Sequence, residues 1–114
     1  MKAKILNINE IKAKIVPWGT TKLLINSNSV GAENLEVRIT EVPPGKAHEL
    51  HKHDVEEVFI VLSGKGTHME NGTKLDIAPN DVIYVPAGAS HRHECTGNEP
   101  RKAIVIFAPP TQSV

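Results

Sequence analysis

GKAHELHKHDVEEVFIVLSG, residues 45–64, decides how this chain reads. His51 and His53 stand two residues apart, Glu57 follows four residues later, and the stretch closes on the apolar run Glu57 to Leu62. Alternate residues of a strand point the same way, so His51 and His53 share a face wherever the segment is extended. The run EVFIVL is rich in β-branched and aromatic residues and lacks polar alternation. That favours a strand buried on both faces. A second stretch, PAGASHRH at residues 86–93, sets His91 and His93 at the same spacing.

Outward from these two stretches, short extended runs alternate with Gly and Pro turns. In NLEVRITEV, residues 34–42, Leu35, Val37 and Ile39 alternate with Glu36, Arg38 and Thr40. We expect a strand there whose apolar members are buried. Pro43-Pro44-Gly45 ends it, because proline cannot donate to a ladder. Residues 47–53 continue extended, and further strands are expected at 21–26, 66–70, 74–77, 82–85, 90–96 and 103–107. Asn71-Gly72 is a hairpin signal, since both central positions of a type I′ turn need positive φ. Residues 27–33, SNSVGAE, carry loop chemistry. The first sixteen residues are ambiguous, because Ile5, Ile8, Ile11 and Ile15 would share a helical face while Asn7 and Asn9 disfavour helix. We read a strand near 3–7, a turn near 8–11 and then a peripheral strand. The whole pattern predicts an all-β sandwich or barrel with very little helix.

A chain of 114 residues is one domain's length, so a single domain over 1–114 is expected, with a core that needs no disulfide. Thirteen basic residues balance thirteen acidic ones, which argues against nucleic acid or an anionic membrane as partner. Cys95 is the only cysteine, so neither an internal disulfide nor a thiolate cluster can form. The N-terminal residues show no secretory signal and no apolar run approaches a membrane span, so a cytoplasmic protein is expected.

If the shared histidine face looks into a barrel, imidazoles and a carboxylate converge in an apolar interior. Such groups are costly to bury unpaired. A divalent metal removes the cost, because neutral imidazole and ionised carboxylate are good ligands for Fe, Mn, Ni, Co or Zn. Each residue also has a plainer reading. His51 and His53 could be a solvated pair beside Lys52 and Asp54, and Glu57 a surface partner of Lys52 or Lys65. Glu56 is the alternative carboxylate.

Gly45, five residues, His51-Lys52-His53, three residues, Glu57, six residues and Gly64 make one motif. Pro86, Gly88 and His91 make part of a second, within residues 80–95. On these residues the chain resembles the cupin superfamily, and in particular its small single-domain members. Asn80 stands where the second motif has its leading glycine, which a turn tolerates because asparagine visits the left-handed region. Cys95 stands where that motif closes with asparagine. The resemblance implies a jelly-roll β-barrel with His51, His53, Glu57 and His91 as ligands of one divalent transition metal. It also implies a homodimer, with N-terminal strands crossing between subunits.

Beyond the four ligands the assignments stay open. His93 is the catalytic candidate, as a proton-handling group in the pocket; its other reading is a packed histidine bonded to backbone. His48 is placed at the rim or surface and His68 on the barrel wall without a role. Cys95 reads as a small buried residue. Arg38 and Tyr84 read as surface or strand-packing residues before ligand contacts, and Trp18 as an aromatic on a dimer surface. The first functional expectation is a metalloenzyme acting on a small polar metabolite, by isomerase, dioxygenase or decarboxylase chemistry. The second is a non-enzymatic module that binds or senses a small molecule.

Overall fold

The computed structural model describes residues 2–111; Met1 and residues 112–114, the ends of the expected domain, lie outside the described residues. Ten strands carry the fold: β1 (Lys14–Val16), β2 (Gly19–Ile25), β3 (Glu36–Val42), β4 (Ala47–His51), β5 (Glu56–Ser63), β6 (Gly66–Glu70), β7 (Thr73–Ile77), β8 (Val82–Val85), β9 (His91–Cys95) and β10 (Arg101–Ala108). They pair antiparallel into a six-stranded sheet, β1-β2-β3-β10-β5-β8, and a four-stranded sheet, β4-β9-β6-β7. The result is the jelly-roll barrel expected from the strand pattern. Among the described residues no helix is long and apolar enough to cross a membrane.

β10 is central to the larger sheet and pairs with β3 on one side and β5 on the other. Its register lines up three inward rows: Glu36–Phe107–Glu57, Arg38–Val105–Phe59 and Thr40–Ala103–Val61. Every residue in those rows is buried. Phe59, Val61, Ile77, Val85, Ala103, Val105 and Phe107 form the apolar core.

This register corrects two expectations. The period of β3 is two, as read, but the inward face is the polar one: Glu36, Arg38 and Thr40 are buried while Leu35 is 40% exposed. Ile39 is buried as well, on the opposite parity. The polar face turns inward because the interior compensates it: Arg38 pairs with the Glu36 carboxylate and its guanidinium lies 5.5 Å from the Phe107 ring centroid. β5, in turn, has one buried face rather than two. Val58 and Ile60 are only half-buried and Leu62 is exposed, since the outer side of a barrel sheet has no second layer over it.

Turn chemistry set the strand ends. Lys46 N–H donates to the Pro43 carbonyl across Pro44 and Gly45, whose φ of 79° is the third-position signature of a type II turn. Asn71 and Gly72 have φ of 51° and 77°, as a type I′ hairpin requires. The N-terminal reading is partly corrected. Residues 3–7 form no strand; Asn7 instead accepts from the Asn9 N–H and caps a 3-10 turn, Ile8–Glu10. The loop expected at 27–33 contains one helical turn, α1 (Ser27–Val30), held by a capping box between Asn26 and Ser29.

Gly64 and Gly88 separate two roles of glycine. Both have left-handed φ, 79° and 81°. A Cβ at Gly64 would lie 2.3 Å from the Pro100 carbonyl oxygen, whereas nothing stands within 4 Å of one at Gly88. Gly88→Ala is therefore expected to cost only the backbone term, about 1–2 kcal/mol. Gly64→Ala should cost clearly more, because the start of β10 must shift. Urea melts of the two variants check this, and equal losses would show that the close approach is unimportant.

Candidate metal centre

β4 and β9 bring the two histidine stretches side by side. His48 pairs with His93 and His51 with His91, so β4 spends one residue more than β9 between the two pairings. That β-bulge puts two positions of opposite parity on one side. The His48 ring consequently stacks on His51 at 3.7 Å and on Trp18 at 4.4 Å. His53 follows β4, and the Gly88 N–H donates to its carbonyl at 2.7 Å, which ties the first stretch to the second.

These elements enclose a cavity of about 240 Å³. His51, His53, Glu57 and His93 are in its wall, with Arg38 and Arg101. The ligating atoms of His53, Glu57 and His91 lie within 4.8 Å of one another, and so do those of His51, His91 and His93. His91 belongs to both groups. Its Nε2 is 3.4 Å from Glu57 Oε1, and His53 Nε2 is 3.8 Å from the same oxygen. Glu57 Oε1 and His91 Nε2 are nevertheless buried without an aligned hydrogen-bond partner among the described residues. His51 Nδ1 donates to the Glu49 carbonyl at 2.7 Å and His91 Nδ1 to the Ala89 carbonyl at 2.9 Å. A carbonyl only accepts, so in the neutral form of each ring Nε2 carries the free lone pair, the state in which imidazole binds a metal. A divalent ion fits this donor set.

The structure thus collects the four expected ligands around His91, with His51 entering through the group that includes His93. Glu56, the alternative carboxylate, points away: it is exposed and accepts from the Tyr84 hydroxyl. Tyr84 is itself exposed. Cys95 is a buried residue whose Sγ donates to the Glu99 carbonyl.

The structure also places the remaining residues, and Arg38 lies elsewhere than expected. Trp18 packs on His48, and both line the cavity. His68 faces the interior, 5.1 Å from His93 between ring centroids, with Nε2 3.1 Å from Glu70 Oε1. Arg38 is a cavity residue. Arg101 was missed altogether, although it shares parity with Ala103, Val105 and Phe107, which would have aimed it inward.

Burial shapes the titration of the cluster. It pushes His48 down to about 3, helped by the neighbouring His51, and His51 down to about 4 against the pull of the Glu49 carbonyl. Burial also lowers His53, opposed by Glu57, and holds His93 well below the ordinary histidine value, with Arg101 adding to the effect. His91 goes the other way. Burial lowers it, but the Glu57 carboxylate and the Ala89 carbonyl outweigh burial and raise its value. His51 and His53 are therefore neutral at pH 7, as metal ligation needs, as are His48 and His93, while an ion binding at His91 would displace the proton that Glu57 favours there.

A small jelly-roll barrel with a buried His/Glu cluster defines a recognised class of protein. Residues 38–107 match the Cupin domain family, and the chain belongs to it. An oxalate-binding protein of Thermotoga maritima is 41% identical over 68 residues, covering 59% of this chain and 56% of that protein. The chain thus spans little more than half the length of this curated relative. Among solved structures, the polyketide cyclase RemF from Streptomyces resistomycificus superposes with a TM-score of 0.86 at 22% identity, over 98% of this chain and 83% of the other. A predicted oxalate decarboxylase from Thermotoga maritima gives 0.82 at 23% identity, over 94% and 100%. Both show the same fold.

The lowered histidines make a pH prediction for the metal-free protein. As pH falls below the ordinary value of 6.5, the unfolded chain takes up protons that folded His48 and His51 refuse until about pH 3 to 4. Stability must then fall with pH across that window. His91 has the opposite sign: its contribution is full below 6.5 and is lost as pH rises through its raised value. The four lowered groups outnumber it. Thermal midpoints in chelator should drop between pH 7 and 5, and His48→Gln should flatten the slope. An unchanged slope in that variant would contradict the assignment.

Proposed function

We propose that this cupin is a metal-dependent enzyme acting on a small polar metabolite, with one divalent transition metal (Fe, Mn, Ni, Co or Zn) held by His51, His53, Glu57 and His91. The observation that carries the reading is the buried pair Glu57 Oε1 and His91 Nε2, 3.4 Å apart without an aligned hydrogen bond, with Glu57 in the cavity wall. When bound, the ion supplies Lewis acidity and open positions for substrate oxygens.

The chain's own residues do the rest. The Glu49 and Ala89 carbonyls orient His51 and His91. Phe59, Val105 and Phe107 keep part of the wall apolar and limit water. His93 is the proton-accepting candidate; its lowered value keeps it neutral at pH 7 but makes it a weak base. Isomerase, dioxygenase and decarboxylase chemistry all suit such a site. A second reading, a module that binds a small molecule without turning it over, is favoured by the name of the 41%-identical relative, an oxalate-binding protein.

The test is direct. The protein is loaded with each of the five metals and screened for turnover and oxygen uptake against diols, oxo acids and sugars. Tight binding without turnover under every metal would select the second reading. His51→Ala and His91→Ala should each lower bound metal at least about tenfold while circular dichroism shows an intact barrel. Full metal retention in both variants would overturn the ligand set.

We also propose a cytoplasmic homodimer. Ile5 and Ile15 are 95% and 85% exposed, and β1 is an edge strand, so a second copy would cover apolar surface and pair an open edge. A monomer by light scattering at micromolar concentration would refute it.

A further inference from the structure

Arg101 opens β10 and is 3% exposed. Its guanidinium carbon lies 5.8 Å from the Phe59 ring centroid, so the side chain runs back along the inward face to the level of the cavity. Nε and Nη1 are buried and have no hydrogen-bond acceptor among the described residues. Arg38, the other arginine in the wall, differs in being held by the Glu36 carboxylate. Thr40 Oγ1 and His93 Nδ1 line the same cavity and are also buried without a partner.

A buried guanidinium stays charged, and leaving its donors unmet is costly. The face of Phe59 offsets part of that cost but offers no acceptor. An anionic ligand would meet the charge and the donors together. The cavity, at about 240 Å³, is below the usual range for drug-sized ligands, so the ligand has few heavy atoms. A planar guanidinium matches the two oxygens of a carboxylate. Phosphate is tetrahedral and needs donors on all sides, whereas Phe59, Val105 and Phe107 make much of this wall apolar.

We propose that Arg101, with Thr40 from the same cavity wall, binds the carboxylate group of a small organic acid inside the barrel. The inference deepens the function proposed above by naming its ligand class, and it rests on that reading only in taking the same cavity as the ligand site. Arg101 needs no ion to bind an anion, so the two can fail separately.

The experiment is isothermal titration of chelator-treated and zinc-loaded protein with sodium oxalate, malonate, pyruvate, inorganic phosphate and neutral oxamide. Trp18 emission is a second readout from the cavity wall. Metal-free protein is expected to bind at least one of the three acids, and oxamide at least about tenfold more weakly. Arg101→Gln should weaken acid binding at least about tenfold with its metal content unchanged, and Thr40→Val should weaken it less. If Arg101→Gln does not fold, Arg101→Lys decides, because it keeps the charge and loses the paired geometry. Weaker acid binding in a folded Arg101→Lys supports the site. Unchanged acid binding in whichever variant decides overturns it, as does binding of none of the three acids or tighter binding of phosphate than of all of them. A wild-type protein that takes no metal but binds acids through Arg101 would end the metal reading and keep this one.

Discussion

A carboxylate 5% exposed, 3.4 Å from an imidazole nitrogen, is the contact around which this barrel is arranged. Glu57 Oε1 is buried, and the described residues do not give it an aligned hydrogen bond. Unpaired burial of an ionised carboxylate is among the costliest things a core can contain. The surroundings answer by bringing imidazoles rather than bulk, His91 and His53 each placing Nε2 within 4 Å of that oxygen. Glu57 comes from the six-stranded sheet and His51 and His91 from the four-stranded one, so the cluster is shared between the two halves of the fold.

The interior is accordingly divided. Val61, Ile77, Val85 and Ala103 give an ordinary apolar core, with the aromatic rings of Phe59 and Phe107 between it and the histidines. A polar cavity in so small a barrel removes volume from the core. The long β10 ladder compensates, since it presents an alternating row to the interior and is hydrogen-bonded on both edges.

Most of the strands were legible in the sequence because their ends are written in local turn chemistry. Asn71-Gly72 and Pro43-Pro44-Gly45 specify φ by themselves, and the strands between such turns fall where the pattern put them. The face of β3 was not legible. Period two is a property of one strand, but which face is inward depends on what the other strands bring, and here they bring a polar site. The rule that apolar residues go inside inverted the answer. His48 was lost for a related reason, since the bulge after it is visible only once β9 is alongside. The spacing of the candidate ligands was readable because two motifs, one on each side of β6 and β7, carry it within short segments. Arg101 lies in neither motif, and only the parity of its strand pointed to the interior.

The bulge in β4 carries one more consequence. A strand is a lattice of period two, and the extra residue between His48 and His51 is a half-period dislocation in it. It allows neighbouring sites of opposite phase to be occupied on one side, so a single strand can supply more inward side chains per unit length than regular pleating permits. Chemistry that needs crowded imidazoles is thereby concentrated at a defect. The ladder on either side can remain regular.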